Sequence, residues 1–125
     1  MSKKKILVVD DEVGITRALK RNLEATGHYE VRMENSSKAA VAAARDFLPE
    51  LIIMDVMMPE MDGGEVAALL KEDKRLGLIP IVFLSAIVKK DETQPAGGHI
   101  GGQTFLAKPV KLDDLIACIE QYLGK

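Results

Sequence analysis

The sequence predicts a single α/β domain in which helices cover both faces of a parallel sheet. Short apolar runs alternate along the chain with stretches whose apolar residues recur at helical spacing, and this alternation is typical of repeated strand, helix, strand units. The chain has 125 residues, the length of one ordinary domain, and that length supports a core without disulfides or metals. We therefore expect one domain over residues 1–125.

The first part of the chain is predicted to form two strand and helix pairs. Residues 5–9 are a continuous apolar run, too short for a helix, which indicates a central parallel strand. Residues 12–26 place apolar side chains on one helical face, and Gly27 is expected to end this helix. Residues 29–33 alternate apolar with charged side chains, as an edge strand does. An alanine-rich helix follows and is expected to end before Pro49.

The second part continues the alternation. Residues 51–54 repeat the continuous apolar pattern, and residues 65–73 are predicted to be a short helix after an Asp-Gly-Gly turn signal. The fourth and fifth strands are predicted at residues 79–84 and 104–107. A last helix begins near Leu112, with two aspartates in its first turn, where the helix dipole favours negative charge.

The segment between the fourth and fifth strands departs from this alternation. It holds four glycines and one proline over residues 95–102. A helix would be destabilised by about 1 kcal/mol for each glycine and by about 3 kcal/mol for an interior proline. We therefore predict a Gly-rich loop over residues 95–102, with at most one helical turn before Pro95.

Charge and hydropathy exclude several classes of partner. The chain has 17 basic and 19 acidic residues, a net charge of -2, so it lacks the positive excess that binds a nucleic-acid backbone. Its apolar runs fall short of the roughly 18 residues of a membrane span, and the stretch after the N-terminal lysines is too short for a signal peptide. We expect a cytoplasmic protein that binds neither nucleic acid nor membrane. The single cysteine, Cys118, is expected in the core.

Polar residues stand at the ends of four predicted strands. Asp10 and Asp11 follow the first strand, Asp55 the third, Ser85 the fourth and Lys108 the fifth. Because the carboxyl ends of parallel strands open one crevice, these side chains are expected to lie together. Three neighbouring carboxylates repel one another unless a cation neutralises them, and Mg²⁺ prefers such oxygen ligands. The set suits phosphoryl chemistry, with the ammonium and hydroxyl groups available for anionic oxygens.

Four motifs at these strand ends resemble, in order and over essentially the whole chain, the receiver domain of two-component response regulators. They are ILVVDDE at residues 6–12, LIIMDVMMPEMDG at 51–63, LSA at 84–86 and FLAKP at 105–109. The resemblance implies a flavodoxin-like (βα)5 fold, a doubly wound sheet of five parallel strands in the order 2-1-3-4-5. The Gly-rich loop is the departure, because it stands where the family has its fourth helix.

The resemblance also implies a metal site and a phosphoacceptor. Asp55 corresponds to the aspartate that receives the phosphoryl group from a phosphohistidine. Asp11, Asp55 and the backbone carbonyl of Met57 correspond to the direct ligands of Mg²⁺, and Asp10 to a residue that holds the ion through water.

Three further residues correspond to the family's catalytic and switch positions. Lys108 would pair with a phosphoryl oxygen, and Ser85 would move toward the phosphoryl group. Phe105 corresponds to the aromatic residue that rotates into the space left behind, and it is also expected to pack in the core. The Lys108–Pro109 peptide resembles the family's cis bond.

These assignments predict a stand-alone signalling domain that catalyses only its own phosphorylation and dephosphorylation. Its expected partners are a sensor histidine kinase or phosphotransfer protein and a downstream protein that it contacts. Two alternatives remain: a pseudo-receiver that acts as an unphosphorylated scaffold, and a small phosphatase with Asp10 as its nucleophile. The phosphatase group, the haloacid dehalogenases, has an aspartate where this chain has Glu12.

Overall fold

The computed structural model describes residues 3–86, 98–100 and 103–124, and these form one sheet with helices on both faces. The strands are β1 (Lys4–Val9), β2 (Tyr29–Glu34), β3 (Leu51–Asp55), β4 (Ile81–Ser85), β5 (Gly98–Ile100) and β6 (Gln103–Ala107). The helices are α1 (Val13–Ala25), α2 (Ala40–Phe47), α3 (Gly63–Glu72) and α4 (Leu112–Leu123), with short 3-10 helices at Ser37–Ala39 and Leu76–Leu78.

The strand order confirms the predicted topology. The sheet runs β2-β1-β3-β4-β6-β5, and β1, β2, β3, β4 and β6 are parallel. These five strands have the predicted order 2-1-3-4-5, with β1 inside the sheet and β2 at an edge. Strand β5 is additional and pairs antiparallel with β6 at the opposite edge.

Strand β5 replaces three residues of the predicted Gly-rich loop. Ile100 pairs with Gln103, so two residues, Gly101 and Gly102, separate the paired positions in the sequence. A Gly-Gly pair between two short strands is a sequence signal of a β-hairpin. The prediction of a loop considered only how glycine destabilises a helix, and so it missed this signal. Residues 95–97 and 101–102, and the predicted helical turn before Pro95, lie outside the described residues.

Two apolar cores cover the two faces of the sheet. Alternate residues of β1 point to opposite faces: Ile6 and Val8 pack in the core shared with α1 and α4, and Leu7 and Val9 pack in the core shared with α2 and α3. This arrangement explains the continuous apolar runs, because both sides of each central strand are buried. None of the described helices has the length and apolar character needed to cross a membrane.

Local capping sets the helix boundaries. Helix α1 is followed by Gly27 with φ 83°, as predicted. Helix α2 ends at Phe47, before Pro49 as predicted, and Leu48 after it adopts a left-handed conformation. Helix α3 begins at Gly63, before the predicted start at residue 65. The Asp62 carboxylate accepts a hydrogen bond from the N–H of Glu65 at 2.9 Å, and the Glu65 side chain accepts one from the N–H of Asp62.

The outer edge of β2 is covered at its centre by two side chains of α1. Lys20 Nζ donates to the carbonyl of Val31 at 2.8 Å, and the N–H of Val31 donates to Glu24 Oε2 at 3.0 Å. Lys20 and Glu24 also form an ion pair at 2.9 Å. The hydrogen bond from Lys20 and, to a smaller extent, the one from Val31 hold the pKa of the Glu24 carboxyl below its usual value.

Cys118 is fully buried between α4 and the sheet, as predicted. Burial raises the pKa of its thiol to about 11, and the thiolate is the reactive form. We therefore expect no reaction of the native protein with Ellman's reagent at about pH 8, and complete reaction of the unfolded chain. Rapid labelling of the native protein would contradict this assignment.

Candidate functional site

The carboxyl ends of β1, β3, β4 and β6 meet at one edge of the sheet. The strand register aligns Val9 with Met54, Asp55 with Leu84, and Ser85 with Ala107. The polar residues that the sequence places at the strand ends therefore lie close together, as expected at the carboxyl edge of a parallel sheet.

Lys108 bridges two buried carboxylates at this edge. Its Nζ lies 2.9 Å from Asp10 Oδ2 and 3.0 Å from Asp55 Oδ1. Asp10 is 0% and Asp55 is 3% exposed, so both charges depend on neighbouring groups rather than on water. A third carboxylate, that of the exposed Glu12, lies 3.5 Å from the same ammonium.

Burial and charge act in opposite directions on this group of residues. Burial raises the pKa of Asp55, the hydrogen bond from Lys108 opposes this, and the nearby charge of Asp10 adds to it. Burial lowers the pKa of Lys108, but its close contacts with the carboxylates of Asp10 and Asp55 outweigh that effect, so its pKa is raised. The lysine therefore carries its positive charge at neutral pH.

The residues at this edge fit a divalent cation. Carboxylate oxygens of Asp10, Asp11 and Asp55 lie within 4.8 Å of one another. Among the described residues no group donates an aligned hydrogen bond to the buried Asp10 Oδ2, although Lys108 Nζ is 2.9 Å away. Three carboxylates supply hard oxygen donors, and one of them, that of Asp10, includes the buried oxygen without an aligned hydrogen bond; such a set suits Mg²⁺. The part assigned to the carbonyl of Met57 stays a prediction.

The loop after β3 is packed directly against the start of α3. The N–H of Gly63 donates to the carbonyl of Val56 at 2.9 Å. A Cβ on residue 63 would lie 2.4 Å from the carbonyl oxygen of Asp55, which leaves no room for a side chain. In the sequence Gly63 belongs to a turn signal and ends the motif of residues 51–63, and its close approach to Asp55 is apparent only in the structure.

Ser85 and Phe105 lie where the strand ends predict them. Ser85 is buried at the end of β4, and its carbonyl accepts the N–H of Lys108 at 3.0 Å. Phe105 stacks on Phe83 with ring centroids 5.3 Å apart, so its expected core packing is confirmed. The Lys108–Pro109 peptide is cis, as predicted. The switching roles of Ser85 and Phe105 stay predictions.

Two residues behind the site are not indicated by the motifs. The Asn35 side-chain amide donates to the backbone carbonyl of Asp10 and to Thr16 Oγ1, both at 2.8 Å. Asn35 directly follows the edge strand β2. Its position after a strand is the one feature of the sequence that could have indicated a role at this site.

Comparison with known proteins identifies related sequences along most of the chain. The family model of the response regulator receiver domain matches residues 6–120. The response regulator Rre1 of Synechocystis is 35% identical over 121 residues, which cover 96% of this chain and 52% of Rre1. The polar-differentiation response regulator DivK of Brucella anthropi is 33% identical over 122 residues, 97% of each chain. The chain thus spans about half the length of Rre1 and nearly all of DivK.

The solved structures of similar fold include response regulators. The chemotaxis protein CheY4 of Vibrio cholerae has a TM-score of 0.81 and 26% identity, and the match covers 97% of this chain and 99% of that one. A putative response regulator from Chloroflexus aurantiacus has a TM-score of 0.82 and 27% identity, over 99% of this chain and 100% of that one. The fold, the residues at the strand ends and the family match agree, and the chain belongs to the response regulator receiver domain family.

Proposed function

We propose that this receiver domain is a phosphorylation switch in which Asp55 accepts the phosphoryl group. The observation that carries the proposal is the buried Asp55 carboxylate, held 3.0 Å from Lys108 Nζ beside the carboxylates of Asp10 and Asp11. Phosphoryl transfer depends chiefly on positioning and on stabilising charge around the transferred group, and this arrangement supplies both.

In the proposed transfer, an oxygen of Asp55 attacks the phosphorus of a phosphohistidine. The new O–P bond forms as the P–N bond to the imidazole breaks, and the departing imidazole takes up a proton from solvent. Lys108 already lies at the attacking carboxylate, so its positive charge is positioned to contact the arriving phosphoryl oxygens.

Asp10, Asp11 and Asp55 are the residues that would hold Mg²⁺, with the backbone carbonyl of Met57 as a further proposed ligand. When bound, the ion supplies charge neutralisation for the phosphoryl oxygens. This role accounts for a cluster of acidic side chains that would otherwise repel one another.

The proposed switch uses Ser85 and Phe105. The Ser85 hydroxyl would move toward the phosphoryl group, and Phe105 would turn toward the space that it leaves. Because phosphorylation shifts an equilibrium only through its different interaction with the two states, the hydroxyl contact provides the required difference.

The proposed partners follow from this chemistry. A sensor histidine kinase or a phosphotransfer protein would donate the phosphoryl group, and a downstream protein would recognise the altered surface. We propose that residues 1–125 act as one such domain in the cytoplasm, with no turnover of a free substrate.

The test is the intact mass of the protein after incubation with acetyl phosphate. With Mg²⁺ present we expect one phosphoryl adduct, and after removal of the metal with EDTA we expect at least about tenfold less, because three acidic side chains depend on the cation. Borohydride reduction of the acyl phosphate would mark the modified aspartate as homoserine, and we expect it at residue 55.

Two other outcomes would support the alternatives. A folded, Mg²⁺-binding protein that gives no adduct from acetyl phosphate or from a phosphorylated histidine donor would support the scaffold. Steady hydrolysis of a free phosphomonoester, with loss of turnover in Asp10→Asn, would support the phosphatase.

A further inference from the structure

We propose that Asn35 is a positioning residue that fixes the direction of the Asp10–Asp11 peptide and so prepares the metal site, with Thr16 orienting its amide. The inference rests on the proposed Mg²⁺ role of Asp10, Asp11 and Asp55. It adds to that role a residue from a different strand end, since Asn35 follows β2 whereas the proposed ligands lie at the ends of β1 and β3.

The hydrogen bonds around Asn35 determine how its amide is oriented. Nδ2 donates one hydrogen to the carbonyl of Asp10 and the other to Thr16 Oγ1, both at 2.8 Å. The Thr16 hydroxyl donates its own hydrogen to the carbonyl of Val13 at 3.1 Å, so toward Asn35 it can only accept. Both neighbours are therefore acceptors, and they require the nitrogen end of the amide at this position.

The same contacts complete the restraint of Asp10. Its N–H donates to the carbonyl of Glu34 at 3.1 Å, and its Oδ1 accepts the N–H of Glu12 at 2.9 Å. The carbonyl that leads to Asp11 is the remaining backbone group, and Asn35 holds it. The plane of the Asp10–Asp11 peptide is thus fixed from β2.

Asp11 depends on this restraint more than the other two ligands do. Within the described part of the chain its carboxylate makes no hydrogen bond or ion pair, whereas Asp10 and Asp55 are both held by Lys108. The direction of the Asp11 side chain is therefore set by its backbone. Loss of the Asn35 hydrogen bond frees the peptide that positions it, and loss of such supporting contacts costs about 10-fold to 100-fold in metal affinity.

The experiment measures Mg²⁺ binding to the unphosphorylated protein by calorimetry, with MgCl₂ as the probe. We expect Asn35→Ala to raise the Mg²⁺ dissociation constant about tenfold. The matched control is Ser36→Ala, because Ser36 is exposed on the same loop and its side chain makes no capping hydrogen bond. The free energy of unfolding, measured without Mg²⁺, separates a loss of stability from a loss of metal affinity.

Thr16 provides a second pair of variants that tests the inference even where Asn35→Ala does not fold. Thr16→Val keeps the shape of the side chain but removes the acceptor, and we expect weaker Mg²⁺ binding. Thr16→Ser keeps the hydroxyl and is expected to restore the affinity. This rescue is specific to the hydrogen bond, since both variants remain compatible with a buried position.

Two results would overturn the inference in distinguishable ways. If the wild-type protein binds Mg²⁺ and folded Asn35→Ala and Thr16→Val bind it equally well, Asn35 is only a structural link between two loops and the proposed function stands. If the wild-type protein does not bind Mg²⁺, the proposed metal role fails first and the inference fails with it.

Discussion

Replacement of Asp55 with asparagine is expected to abolish the phosphoryl adduct formed with acetyl phosphate and Mg²⁺. The amide has nearly the shape of the carboxylate, but it lacks the nucleophilic oxygen that forms the acyl phosphate. It also removes one of the three acidic groups that lie within 4.8 Å of one another. The adduct is measured by intact mass, and the expected effect is complete loss.

Asp10→Asn is the informative comparison. Asp10 is a buried partner of Lys108, but it is not the proposed acceptor. We therefore expect the adduct to persist and to require a higher Mg²⁺ concentration. A thermal unfolding curve for each variant establishes that it is folded. If Asp10→Asn loses the adduct while Asp55→Asn keeps it, the assignment of the acceptor is wrong.

Gly63→Ala is expected to lower the free energy of unfolding by about 2 kcal/mol, within the range of overpacking substitutions. The new Cβ would lie 2.4 Å from the carbonyl oxygen of Asp55 and 3.2 Å from its carbonyl carbon. Both are backbone atoms at the end of β3, so they cannot move aside as a flexible side chain would. Urea unfolding followed by circular dichroism measures the change.

Gly64→Ala provides the matched control one residue further along α3. Its nearest neighbour would be Asp62 Oδ1 at 3.3 Å, which is the end of a side chain. Alanine is favoured over glycine in a helix by about 1 kcal/mol, so the stability is expected to stay the same or to rise by up to that amount. Equal destabilisation by both substitutions would mean that helix packing in general, rather than contact with Asp55, explains the loss.

Much of the fold follows from the sequence because burial on both faces leaves a strong signal. The continuous apolar runs in β1 and β3 predict central parallel strands, and the alternation in β2 predicts an edge. Strand β5 has three residues, too few for any periodicity, so the Gly-Gly pair that follows it is its one signal in the sequence. The start of α3 depends on the reciprocal hydrogen bonds of Asp62 and Glu65. The spacing of apolar residues carries no information about these bonds.

The candidate site also contains residues that the sequence predicts and residues that it does not. Asp10, Asp55 and Lys108 are predictable because each follows an apolar run in the sequence. The carboxyl ends of parallel strands lie at one edge of the sheet, so these residues come together. Asn35 also follows a strand, but polar residues are common after edge strands, so its position alone does not indicate a function. Gly63 resembles any turn glycine until the distance to Asp55 is known.

The contacts of Lys20 and Glu24, on α1, with the outer edge of β2 affect how copies of this protein can associate. An open strand edge offers a row of free donors and acceptors along which a strand from a second molecule can add. At the centre of β2, the N–H and carbonyl of Val31 are already engaged by Glu24 and Lys20. An incoming strand would have to displace both side chains and separate their ion pair before it could form a ladder. Two side chains of a neighbouring helix thereby hinder fibrous association along this edge of the sheet.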